Sequence, residues 1–258
     1  LESGKICYET PLNERMRTFL RLEFMFQQLD FSARGESPWD TRSALHAFFE
    51  IYSIVSRNEL KSELLQELDR HYANLSRLME SPGVDPKTLA QVLQDIGTIR
   101  ETLLMAKVLS QESIRRNEFL TGIRQRSSIP GGTCSFDLPA FHHWLEQNDV
   151  MQRLAYLDEW RAPLQPLTEA VGLILAMVRQ SAVATQEKAS QGLFQMNLDG
   201  NAPTQMTRIM VDQSASVFPE VSGGKHRFTI RFLEQPNPNS RAAQAEWDVP
   251  FELACCVI

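Results

Sequence analysis

The feature that most constrains this chain is a change of hydrophobic period along its length. From Thr10 to about Ala182 apolar residues recur every three or four positions, whereas after Gln191 they alternate in short runs separated by Gly, Pro, Asn and Ser. A period near 3.6 buries one stripe of a helix and a period of 2 buries one face of a strand, so the two stretches call for different elements. The expectation is an α+β chain, with an N-terminal, mainly helical bundle over residues 11–190 and a smaller antiparallel β domain over residues 191–258. Residues 5–9 can supply a further strand that returns to the β domain.

Local signals divide the helical stretch. Thr10-Pro11 is read as opening a helix to about Leu29, with Arg17 and Arg21 on one face. Ser37-Pro38-Trp39-Asp40 leads into a second helix, to about Val55. Ser56-Arg57-Asn58-Glu59 has the form of a capping box before a long amphipathic helix whose apolar side is Leu60, Leu64, Leu68, Tyr72, Leu75 and Met79, ended by Pro82-Gly83. Asp85-Pro86 starts another helix to about Leu104, and Ser110 is the expected cap of one that reaches Arg126. Pro130-Gly131-Gly132 then breaks the helix, with Asp137 as the next N-cap and Pro139 in the following first turn.

In the β stretch Phe194, Met196 and Leu198 alternate in one strand, and a second spans about Thr204 to Asp212. Ser222-Gly223-Gly224 turns into a strand from Lys225 to Phe232, where Phe228, Ile230 and Phe232 point one way and Arg227, Thr229 and Arg231 the other. A last strand from about Glu246 to Cys256 would bury one of Cys255 and Cys256. The ending C-C-V-I also has the outline of a prenylation signal, and the strand reading competes with it.

Composition narrows the function classes. A net charge of −6 argues against general nucleic-acid binding, because phosphate contacts need a basic excess. No apolar run is long enough for a membrane span, and the opening L-E-S-G-K-I-C-Y has no signal-peptide pattern, so a cytosolic protein with reduced thiols is expected. Cys7, Cys134, Cys255 and Cys256 lack a metal-ligand spacing, and His142 and His143 point about 100° apart on a helix, so no metal or cofactor is expected. G-x-S-x-G, H-E-x-x-H and G-x-G-x-x-G do not occur in a catalytic context. Gly223-Gly224-Lys225 is not a P-loop, since Pro219 stands at the first glycine position and His226 follows the lysine. One catalytic alternative stays open, a small-molecule enzyme using Cys134 and His142 as a thiol–imidazole pair.

The stronger clue is arginine recurring beside turns and on single faces: Arg17 with Arg21, Arg57, Arg124 with Arg126, and Arg227 with Arg231. Arginine forks suit carboxylates, which points to an acidic peptide. Over nearly its whole length the chain also resembles the ZapD (Z-ring-associated protein D) family of bacterial division proteins. The resemblance is carried by P-L-N-E-R-M-R-T-F-L-R-L-E-F from Pro11, E-L-L-Q-E-L-D-R from Glu63, the run from Arg124 to Leu145, P-L-T-E-A from Pro166, R-Q-S-A from Arg179, S-G-G-K-H-R-F-T-I-R-F from Ser222 and F-E-L-A-C-C from Phe251. It implies a non-enzymatic cytoplasmic homodimer at the midcell division ring. Helical and β domains would together present a basic pocket to the C-terminal tail of FtsZ, so that one dimer cross-links two filaments. It also implies the contact residues Arg21, Arg57, His142, Arg227 and Arg231, with Arg17, Arg124, Arg126 and Lys225 as neighbours. Glu118 departs from the basic residue the family pattern leads one to expect, and the segment from Glu50 to Arg57 differs in length.

Overall fold

The computed structural model describes residues 4–56, 59–79, 83–106, 114, 116–199, 204–224 and 226–257. Arg57, Lys225, Pro82 and the expected cap Ser110 lie outside the described residues. The chain divides into two compact units, one made of Leu1–Leu20 and Leu175–Ile258, the other of Arg21–Ile174. Residues 175–190, read from sequence as the end of the helical domain, thus belong to the unit that holds the strands.

The helices are α1 (Glu14–Ser32), α2 (Pro38–Val55), α3 (Leu60–Ser76), α4 (Pro86–Met105), α5 (Glu118–Ser127), α6 (Pro139–Gln147), α7 (Val150–Arg161) and α8 (Gln165–Gln180). Their starts follow local chemistry in most cases. Ser37 forms a full capping box with Asp40, and its hydroxyl, followed by its N–H, donates to the Asp40 carboxylate and holds it below the usual carboxylate range. Asp85 caps α4 ahead of Pro86, and Asn117 accepts from the Leu120 N–H at the start of α5.

Three expected starts are corrected. Thr10 and Pro11 end a strand, and α1 begins only at Glu14, where the Asn13 side chain accepts from the Met16 N–H at 2.8 Å. An extended residue before proline is what steric clash with the pyrrolidine ring favours. Ser56 closes α2 instead of opening α3; its N–H donates to Tyr52 O, and the residue before α3, Glu59, makes no side-chain cap bond. Asp137 does not cap α6, because its carboxylate faces Cys134 Sγ at 3.6 Å and Arg126 Nη1 at 3.9 Å while Leu138 occupies the cap position.

The core of the Arg21–Ile174 unit takes one stripe from each helix, including Leu22, Leu45, Phe48, Ile51, Leu64, Leu68, Ile96, Phe141 and Ile174, all 2% exposed or less. Each such side chain contributes roughly 1.5–3 kcal/mol by leaving water. The stripe of α3 differs from expectation. Tyr72 and Met79 are 47% and 50% exposed, and the buried positions continue through Glu67 and His71.

The other unit is built on two antiparallel sheets. Its strands are β1 (Lys5–Pro11), β2 (Thr185–Ala189), β3 (Leu193–Asn197), β4 (Met206–Asp212), β5 (Val217–Gly223), β6 (Arg227–Glu234), β7 (Ala243–Gln244) and β8 (Val249–Cys256). One sheet runs β1-β4-β8-β2 and the other β3-β6-β5, with β7 extending the pairing of β6. The N-terminal strand lies at the edge of the first sheet, with Lys5 opposite Asp212 and Pro11 opposite Met206. Inward side chains from both sheets form one core, in which the rings of Phe194 and Phe232 stand 5.2 and 4.9 Å from that of Phe251. Cys256 is fully buried and burial pushes its thiol up to about 11, whereas Cys255 is half-buried.

Candidate functional site

Alternation along β6 builds the clearest polar surface. Phe228, Ile230 and Phe232 are buried in the inter-sheet core, which forces Arg227, Thr229 and Arg231 to the opposite face. Register extends that face across the sheet: Leu193 of β3 lies opposite Arg231, which lies opposite Glu220 of β5, and Asn197 lies opposite Arg227. Arg231 Nη2 stands 3.7 Å from Glu220 Oε2, with side chains 52% and 60% exposed. A pair so exposed is worth about 0–1 kcal/mol, so Arg231 is available to a competing carboxylate. Arg227 is exposed on the same face.

In the helical unit the sequence-predicted basic residues differ in how they are held: Arg126 stands 3.9 Å from the Asp137 carboxylate, and Arg124 is stacked on a ring. Arg124 lies over the Tyr52 ring, 5.2 Å from its centroid, and serves packing. Arg126 is exposed at the C-terminal end of α5, and Arg21 and His142 are exposed on α1 and α6. Arg17, in the strand-bearing unit, pairs with Glu14 one turn earlier at 3.2 Å.

The Pro130-Gly131-Gly132 corner fixes where the end of α5 sits. Ile129 N–H donates to Arg126 O and Gly132 N–H to Ile129 O, so the chain folds back tightly. A Cβ on Gly132 would lie 2.5 Å from the Arg126 carbonyl oxygen, and Gly131 has φ +72°, a region that disfavours side chains. Beside this corner lies a pocket of about 350 Å³, lined by Arg42, His46, Ile123, Ile129 and Phe141 among others. Arg42 is the functional-looking residue that sequence reasoning missed. Its guanidinium sits 4.7 Å from the Phe141 ring centroid and donates to Thr133 O at 2.8 Å, tying α2 to the corner. The one sequence hint was Trp39 a turn earlier on the same helix, whose ring lies 5.6 Å from the guanidinium carbon.

The thiol–imidazole alternative gains no geometric support. The polar partner of Cys134 is Asp137, and among the described residues no histidine hydrogen bonds to this thiol. Among the described residues no group of three His, Cys, Asp or Glu is placed to hold a metal ion. No helix among them is long and apolar enough to cross a membrane.

A sequence model of the family described as ZapD, cell division protein, matches residues 20–231. The chain belongs to the ZapD family. Relatives named cell division protein ZapD align along almost the entire chain. The one from Methylococcus capsulatus is 42% identical over 255 residues, covering 99% of both chains. The one from a Janthinobacterium species is 38% identical over 251 residues, covering 97% of this chain and 99% of the relative. A third, from an Azoarcus species, is 37% identical over 253 residues, covering 98% of this chain and all of the relative. The ZapD model spans the arginine-bearing strand β6 up to Arg231, the Pro-Gly-Gly corner and α6, so the sequence-predicted contact residues other than Arg17 fall within the matched region.

Proposed function

We propose that this ZapD-family protein is a non-enzymatic division factor that binds the acidic C-terminal tail of FtsZ and, as a homodimer, cross-links filaments at the midcell ring in the cytoplasm. The observation that carries the reading is the exposed arginine pair of β6, held four residues apart on a polar sheet face by a fully buried opposite face. Arg21, Arg126 and His142, exposed in the helical unit, and Arg17 belong to the proposed contact set, as do Arg57 and Lys225. Arg124 joins it only as a support, since its guanidinium is already stacked on Tyr52.

Charge-assisted forks to exposed carboxylates are individually weak, and one tail would be held loosely. Two tails presented by polymerised FtsZ to one dimer would raise the apparent affinity by roughly 10² to 10⁴ without new contacts. The bond should weaken with salt, as the Debye length falls from about 10 Å at 0.1 M to about 3 Å at 1 M.

Co-sedimentation with polymerised FtsZ, full-length against tail-deleted, tests the reading. Pelleting that depends on the tail and is lost in Arg21→Glu or Arg231→Glu, with folding intact, is the expected result. Equal pelleting with tail-deleted filaments would refute the tail contact, and bundling unchanged by Arg231→Glu would refute the sheet face as its seat.

A further inference from the structure

The sheet that carries Arg227 and Arg231 has two edges, and they are not alike. In an antiparallel pair, residues that exchange backbone hydrogen bonds alternate with residues whose N–H and C=O point away. Along β3 the bonded positions are the even ones: Leu198 N–H donates to His226 O and Phe232 N–H to Gly192 O, both at 2.8 Å, with Leu193 opposite Arg231 and Asn197 opposite Arg227. The N–H and C=O of Gln195 and Asn197 are therefore directed outward, into the edge. The sheet ends at β3, and among the described residues no strand pairs with that side.

At the other edge, Gly224 N–H donates to Arg227 O at 3.0 Å and Glu220 lies opposite Arg231, so the even residues of β5 bond to β6 and the odd ones face out. One of those odd residues is Pro219, which has no N–H to offer. Proline at an outward position is a device that blunts an edge against strand addition, as is a charged side chain along it. The β3 sequence L-F-Q-M-N has neither. Among the described residues, one edge of the sheet is blunted by proline and the other is open to a further strand.

The outer face supplies the selectivity. Arg227 and Arg231 are four residues apart on β6, about 13 Å along the strand, and β3 lies between them and the open edge. A segment paired with β3 would run about 10 Å from β6, within reach of an arginine and an acidic side chain extended toward each other. Its pleat matches that of the sheet, so carboxylates four residues apart on the segment fall in the rows of the two arginines. Leu193, 40% exposed, offers an apolar contact in the Arg231 row.

We infer that the open edge of β3, backed by the outward arginines of β6, takes an extended acidic peptide as an added antiparallel or parallel strand. This rests on the proposed tail contact and specifies its backbone conformation: main-chain bonds to Gln195 and Asn197 hold the segment, and Arg231 and Arg227 read its carboxylates.

The test uses a labelled synthetic peptide of the cognate FtsZ tail and the full chain, with binding followed by fluorescence anisotropy. Single N-methylation is moved along the peptide one residue at a time. Added-strand pairing predicts alternation, with about tenfold weaker binding at every second position and little change between, because only alternate N–H groups face β3. Gln195→Pro removes an outward N–H and no ladder bond, and is expected to weaken binding about tenfold while thermal unfolding stays cooperative. Binding that tolerates N-methylation at every position overturns the inference and leaves the tail contact standing. If Gln195→Pro does not fold, the N-methyl series on the unaltered protein decides alone. An unmodified peptide that does not bind removes the tail contact itself, and the inference with it.

Discussion

His71 makes the stability of this protein depend on pH in a way that can be calculated. It lies on α3, is 5% exposed, and its Nε2 has no hydrogen-bond partner among the described residues. Desolvation is the largest influence and lowers its pKa from 6.5 to about 4; Glu67 opposes this and Arg70 reinforces it. The native state therefore holds the imidazole neutral where the unfolded chain would protonate it. For a histidine with a depressed folded pKa, the full stability is present above about 6.5 and is lost as pH falls toward about 4. The total loss is about 3 kcal/mol, of which about 2 kcal/mol falls between pH 7 and pH 5. His71→Leu removes this dependence and fills the site with an apolar side chain. Urea unfolding of both proteins at pH 7 and pH 5 isolates the contribution, since carboxylates common to both cancel in the difference. The unaltered protein should lose about 2 kcal/mol more than the variant over that interval. Equal losses, or an NMR titration of His71 with its midpoint near 6.5, would refute the argument.

Other predictions rest on single contacts. Arg153, 6% exposed, donates to Asn148 O at 2.8 Å and to Glu36 O at 2.6 Å, so Arg153→Met should destabilise by about 2–4 kcal/mol in chemical denaturation; a change below about 0.5 kcal/mol would show that both carbonyls find other donors. At the corner, Gly132→Ala should cost about 1–3 kcal/mol because the new methyl meets the Arg126 carbonyl oxygen at 2.5 Å, and Gly131→Ala about 1 kcal/mol because its φ is +72° with open space around it. Thermal unfolding that ranks the two in the reverse order would sink the packing account of the corner.

Much of the fold was legible because its signals are local. The alternation of Phe228, Ile230 and Phe232 with Arg227, Thr229 and Arg231 gave β6 and its two faces, and Ser37 and Asp85 marked helix starts by chemistry acting within one turn. Misreadings arose where two local readings compete. Thr10-Pro11 suits either a helix start or a strand end, and pairing with Met206 and Thr207, far along the chain, decides for the strand. Asp137 has the chemistry of a cap, but Cys134 and Arg126 engage its carboxylate. The stripe of α3 departs from the hydrophobic pattern because its buried continuation is Glu67 and His71, which no such pattern marks.

The sequence by itself determined the class of the protein: the switch of period fixed a helical stretch and a β stretch, and motifs spread along the chain matched one family. Only the tertiary structure decided what each charged residue is for. Arg153 is fixed by a carbonyl 117 residues earlier and Arg179 by Glu9, 170 residues away, while Arg227 and Arg231 remain on an open face. Periodicity acts over a few residues and can be read in one dimension, whereas the cost of burying a charge is offset by partners that only folding brings near.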